Sequence, residues 1–191
     1  MVMEVTRRQN QGGLQGLIDR LKVLKKRDVL VGVPQEKTNR TNEGITNAEL
    51  LYIHTHGIRR KSMRDEMNSG VSAGLPYSMA YKLYIMSHGS PLWASPPRPV
   101  LEPAIEYHKD RLSVLIGDVI KAASKGDKLQ TDKAMELLGL ETQRVCQTWF
   151  THPANGWSPN SPQTIKRKGS DKPLFDSGAL KKSITYVVRD V

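Results

Sequence analysis

The chain has 191 residues, 38% of them hydrophobic and 25% charged, which is enough for one domain with its own core and too apolar for a disordered chain. Its formal net charge of +10 favours contact with an anion, whether nucleic acid, an acidic protein surface or a lipid headgroup. One cysteine, Cys146, excludes an internal disulfide and a Cys-x-x-Cys metal pair, and no apolar run approaches the roughly 20 residues of a membrane span.

The N-terminal stretch lacks the apolar segment of a secretory signal, and a reducing compartment is expected. Gly12 and Gly13 separate a polar lead from Leu14, Leu17, Ile18, Leu21 and Leu24, whose spacing predicts an amphipathic helix over 14–26. Arg20, Lys22, Lys25 and Lys26 lie on its other face, where late cations suit a helix C-terminus. Residues 28–33 are β-branched and stopped by Pro34, so they read as a strand. A polar loop over 34–45 follows. Thr46-Asn47-Ala48-Glu49 has the form of a capping box, and Gly57 is a natural left-handed stop for the helix it opens.

That unit recurs 32 residues later. Residues 48–57 and 80–89 share the pattern A-x-x-L-Y-I-x-[TS]-H-G, and Ser78 stands where Thr46 caps the first copy. Two copies are too few for a solenoid, so they read as two short helices of similar role. Between them, residues 59–77 carry Arg59, Arg60, Lys61 and Arg64 with Gly70, Gly74 and Pro76. This predicts a basic surface excursion, mobile unless a partner holds it.

Residues 91–99 are a rigid, proline-dense segment that docks at little entropic cost. One long helix is expected next, with Pro99 in its first turn, Leu101, Ala104, Ile105, His108, Leu112, Leu115, Ile116, Val119 and Ala123 on one face, and Gly126 at its end. Asp127 is placed to cap a further helix that buries Met135, Leu138, Val145, Cys146, Trp149 and Phe150 and stops before Pro153. A turn-rich loop follows at 153–160. Ser161 and Asp176 are placed to cap two short helices, 162–168 and 177–182, and the alternating residues 184–188 form a closing strand. The order predicts one domain over 1–191 of α+β class: a small, largely antiparallel sheet packed by several helices, with an extended loop excursion.

Chemistry is sparse. His54, His56 and His88 could be considered metal ligands of a hydrolase, but residues i and i+2 diverge on a helix and no carboxylate lies at ligand spacing. His56 and His88 each precede a helix-ending glycine, where an imidazole can bond free carbonyls. Cys146 sits on an apolar helix face and reads as a buried structural thiol. Glu102 and Glu106 share a face but read as solvated. No phosphate-binding loop, dinucleotide fingerprint or nucleophile elbow is present. No catalytic residue, metal ligand or cofactor site is therefore assigned. Lys166, Arg167 and Lys168 form the best nucleic-acid candidate in sequence, for non-specific contact only. Arg59, Arg60 and Lys61 are the second set of candidate DNA or acidic-partner contacts, although neither basic run has stacking aromatics interleaved in sequence.

Two stretches carry a family resemblance. Residues 80–105, A-Y-K-L-Y-I-M-S-H-G-S-P-L-W-A-S-P-P-R-P-V-L-E-P-A-I, resemble the A-x-I-H-E-x-G…I-P-x-R-P-F-L-x-P-A-I signature of tailed-phage neck and tail-completion proteins. Residues 164–188, T-I-K-R-K-G-S-D-K-P-L-F-D-S-G-A-L-K-K-S-I-T-Y-V-V, are similar to the T-I-x-R-K-G-x-x-x-P-L-x-D-T-G-x-L-x-x-S-I ending of that group. Val100 replaces the usual Phe, Ser177 the usual Thr, and the 59–77 excursion is additional. The resemblance implies a structural virion protein, assembled in the host cytoplasm, that forms a homo-oligomeric ring, usually a hexamer. Its implied partners are the head connector or portal adaptor on one side and the tail tube or tail terminator on the other, with no membrane. Non-specific DNA binding in packaging or maturation is the alternative. Trp93, Pro96, Pro97 and Arg98 are the leading interface candidates, with Leu174 and Phe175 second.

Overall fold

The computed structural model describes residues 2–34, 44–174 and 178–191, with side chains from Gly13 onward. It is an α+β fold of helices around two small antiparallel sheets. The elements in order are α1 (Val2–Leu24), β1 (Arg27–Gly32), α2 (Asn47–His56), β2 (Ile58–Arg59), α3 (Lys61–Ser72), α4 (Tyr77–His88) and β3 (Trp93–Ser95). They continue with α5 (Leu101–Tyr107), α6 (Lys109–Lys125), α7 (Lys128–Trp149), a single 3-10 turn (Pro153–Asn155), α8 (Pro162–Lys168), α9 (Ala179–Ser183) and β4 (Thr185–Asp190).

β1 and β4 pair antiparallel with Arg27 opposite Asp190 and Gly32 opposite Thr185, so the first and last strands of the fold meet. β2 and β3 pair antiparallel with Ile58 opposite Ser95 and Arg59 opposite Trp93, with an irregularity between those two pairs. The main core gathers Leu51, Val100, Ala104, Leu112, Val145, Trp149, Phe150, Leu180 and Ile184. Fully burying aliphatic and aromatic side chains of this kind stabilises by about 1.5–3 kcal/mol each. α7 is the spine of this core. Its Gly139 lets the ring of Tyr186 on β4 lie directly over the helix, where a Cβ would collide with the ring. The Tyr186 hydroxyl donates to Glu136 at 2.7 Å, and Gln147 donates to the Ile184 carbonyl at 2.8 Å.

Local sequence signals set several helix ends. Thr46 completes a capping box with Glu49, Asp127 accepts from the Gln130 amide, and Ser161 accepts from the Thr164 amide. Gly126 and Gly169 close α6 and α8 in the left-handed conformation. Gly57 has φ 72° but ψ 173°, so it turns the chain into β2 rather than making a left-handed cap. It must be glycine for a second reason: a Cβ there would stand 2.8 Å from the Pro97 nitrogen and the Ser95 carbonyl oxygen.

Other expectations are corrected. α1 begins at Val2, so Gly12 and Gly13 lie within the helix instead of preceding it. The apolar stripe of α1 is open, with Leu14 60%, Ile18 39% and Leu21 37% exposed. Residues 61–72 are a helix and not a loop: Met63 and Met67, one turn apart, are buried against Ala80 and Tyr84 of α4. α4 opens at Pro76 with no side-chain cap, so Ser78 is not the counterpart of Thr46. The single helix expected between Pro99 and Gly126 is two. At His108 (φ −103°, ψ 15°) the backbone leaves helical values, with the His108 ring in edge contact with Tyr107 and His152. Pro99 stays outside α5, and Pro103 occupies the first turn, where no intrahelical donor is lost. Ile116, expected inward, is 47% exposed, while Leu112, Val119 and Ala123 are buried as their spacing requires. The capping role expected of Asp176 lies outside the described residues; α9 begins after Gly178.

Candidate functional site

The corner where β2 meets β3 brings together residues from both candidate sets. Arg59 on β2 faces Trp93 on β3, and α4 packs beside them. The Arg59 guanidinium sits 4.8 Å from the Tyr81 ring centroid, 5.5 Å from Tyr77 and 5.9 Å from Trp93. These are cation–π distances. The neighbouring Arg60 anchors the corner: its amide donates to the Leu92 carbonyl at 2.8 Å and its Nε to the Trp93 carbonyl at 3.3 Å. Arg60 and Lys61 are exposed, and Arg59 and Trp93 are half-buried. Tyr77 and Tyr81 were not singled out in sequence. Their one-turn spacing is the signal that places both rings on one face of α4.

The proline segment runs from this corner into the core. Pro96 and Pro97 are half-buried, and the Arg98 amide donates to the His54 carbonyl at 2.6 Å. Arg98 itself is not a surface anchor. It is 7% exposed and points inward, donating from Nε and Nη2 to the Ser158 carbonyl (3.2 and 2.8 Å) and from Nη2 to Pro159 (3.2 Å). Backbone carbonyls thus take the place of a carboxylate, and burial lowers the Arg98 pKa from its ordinary value. Beside it the Trp157 indole donates to the Pro99 carbonyl at 3.1 Å. Leu174 is half-buried against the main core with φ 55°, and Phe175 lies outside the described residues.

Lys166, Arg167 and Lys168 form the last turn of α8, where cations complement the helix dipole. Lys166 and Arg167 are exposed; Lys168 donates from Nζ to the Lys172 carbonyl at 3.3 Å. Among the described residues no aromatic ring stacks on these three side chains.

The described residues hold no cluster of three or more His, Cys, Asp or Glu able to hold a metal ion. His56 donates from Nδ1 to the Tyr52 carbonyl at 2.9 Å and His88 from Nδ1 to the Tyr84 carbonyl at 3.1 Å, so the same ring nitrogen is used in both repeats. Cys146 is fully buried, and burial pushes its thiol up to about 11. Glu106 is exposed and pairs with Lys109 at 2.6 Å. Among the described residues, a more enclosed ion cluster is one the sequence hides. Glu141 on α7 takes Arg144 at 2.7 Å from its own helix and Arg111 at 2.8 Å from α6. The Arg144 hydrogen bond, assisted by the charges of Arg144, Arg111 and His108, holds this carboxyl below its ordinary pKa against the opposing effect of burial.

A groove of about 680 Å³ opens where the end of α1 meets the α6–α7 turn and the β1–β4 sheet. Arg20, Leu24, Ala123 and Lys128 line it, together with Arg27, which is held by Asp132 at 2.6 Å and Asp190 at 2.9 Å. No described helix is long and apolar enough to cross a membrane. Family models, curated proteins and solved structures give no match to this chain.

Proposed function

We propose that this protein is a structural subunit of a tailed-phage particle that assembles into a ring at the head–tail junction and joins the head connector to the tail tube. The observation that carries the reading is where the two family-like stretches meet. Val100 and Ala104 from 80–105, and Leu180 and Ile184 from 164–188, are all buried in one core. The two motifs, far apart in sequence, thus contribute side chains to one core, and that shared burial supports the reading.

Exposed aliphatic side chains give such an assembly something to bury. Leu14 on α1 is 60% exposed and Val114 on α6 is 66% exposed. Apolar surface of this kind marks contact sites when it is contiguous, and the spacing of Leu14, Ile18 and Leu21 makes one stripe along α1. The reading assigns no catalytic residue and no cofactor.

Light scattering on the purified chain, alone and mixed with connector or tail-tube assemblies, tests it. A closed oligomer, or a monomer that oligomerises on one of those partners, is expected. A chain that stays monomeric and binds neither overturns the proposal.

A further inference from the structure

We propose that the β2–β3 corner is a phosphodiester-binding site, in which Arg59, Arg60 and Lys61 take the backbone phosphates of a nucleic-acid strand and the ring of Tyr77 lies against its sugar or base. The site does not rest on the ring reading, since one copy of the chain carries all of it.

The first observation is the state of Arg59. Three rings surround its guanidinium, yet its Nε is buried with no hydrogen-bond acceptor among the described residues, and no described carboxylate pairs with it. Ring contact alone explains where the guanidinium sits. It does not explain why a half-buried cation lacks a counter-ion. The ring contacts restrict where the guanidinium sits, and its planar donor fork is the group with which arginine recognises phosphate.

The second observation is the start of α3, directly after Arg59. Its first turn contains Lys61 and no acidic residue, and Arg60 at the cap makes no side-chain capping bond. Cations at the positive end of a helix dipole are unfavourable, and a bound anion relieves them. Arg64 one turn later extends the same positive end.

The third is the exposed aromatic surface. Tyr77 is 54% exposed although it neighbours the Arg59 guanidinium. Cations and ring faces together suit a nucleic-acid strand, which has both charge and stacking surface; an acidic peptide would use only the cations. The run at 166–168 has the cations without the rings, which makes it the matched comparison.

The experiment measures binding of the full chain to a short DNA duplex and its single strand by fluorescence anisotropy over a salt series. Two charge-matched variants are compared: Arg59→Gln/Arg60→Gln/Lys61→Gln and Lys166→Gln/Arg167→Gln/Lys168→Gln. The first is expected to lose about ten-fold or more in affinity and to flatten the salt dependence by about 0.9 in log–log slope per phosphate contact removed from duplex. The second is expected to stay within about two-fold of the parent chain. Should the first variant fail to fold by circular dichroism, the exposed pair Arg60→Gln/Lys61→Gln is compared with Lys166→Gln/Arg167→Gln on the same criterion. Equal losses from both patches, a larger loss from 166–168, or no binding by the parent chain at low salt overturns the proposal. So does displacement of DNA by polyglutamate at equal charge, which would make the corner an acidic-protein surface. Intact oligomerisation alongside lost DNA binding would separate this site from the ring.

Discussion

Tyr84 stacks on His88 one turn later in α4, with ring centroids 4.2 Å apart and planes 10° from parallel. Tyr52 and His56 meet at the same spacing in α2, with centroids 4.1 Å apart but planes tilted by 34°, and Thr55 and Ser87 each donate back to the carbonyl four residues earlier. The repeated L-Y-I-x-[TS]-H-G unit is therefore a helix-ending device. The tyrosine ring and the preceding turn's carbonyl hold the imidazole, and the glycine turns the chain. The copies differ in burial: Tyr84 is 3% exposed and Tyr52 is 65% exposed.

That difference separates their energetics. Tyr84→Ala opens a cavity beside Met63 and Met67 and is expected to cost about 3 kcal/mol. Tyr52→Ala removes a largely solvated ring and is expected to cost under about 1 kcal/mol. Urea unfolding of both variants checks the contrast; similar costs would mean that burial does not govern the motif.

Gly139→Ala is expected to destabilise by about 1–3 kcal/mol, because the new methyl must displace Tyr186 or the helix. In a Tyr186→Ala background the same change is expected to stabilise by about 0.5–1 kcal/mol, the ordinary helix preference for alanine. A double-mutant cycle measures the reversal.

Glu141 gives the chain an acid-sensitive joint between α6 and α7. Its folded pKa lies below the ordinary value of 4.5. The stabilisation is thus fully present above that value and is lost as pH falls through the lower, folded one. Glu141→Gln is expected to cost about 1–2 kcal/mol at neutral pH, since two exposed arginines lose a buried partner. It should also remove part of the decline in stability below about pH 4.5. Denaturant midpoints across that range provide the comparison, and parallel pH profiles for the parent and the variant would argue against the joint.

Cys146 should be inert while the chain is folded. With its thiol at about 11 and no exposed surface, only about one molecule in a thousand carries a thiolate at pH 8. Reaction with an aromatic disulfide reagent is expected only after denaturant is added. Prompt reaction of the native chain would contradict the buried placement.

What the sequence made legible was local. Thr46, Asp127 and Ser161 act on backbone amides three residues away, so their caps could be read directly. The α+β class followed from the same kind of pattern. α3 escaped because its buried side is two methionines in a stretch otherwise largely polar, with Gly70 inside it reading as a break. The inward turn of Arg98 depends on carbonyls sixty residues on, and the Arg59 corner depends on rings from two other elements. Glu141 and Arg111 are likewise joined only by the packing of α6 on α7. No spacing rule reports such contacts, so the sequence marks Trp93 and Arg59 separately and carries no sign that they meet.

A reconstruction of the particle neck at residue resolution tests the proposal that this chain builds a ring between head and tail. The expected result is a closed ring of this chain between connector and tail tube, with the α1 stripe of Leu14, Ile18 and Leu21 covered by a neighbouring subunit or partner. A neck built without this chain, or a ring that leaves that stripe open to solvent, would contradict it.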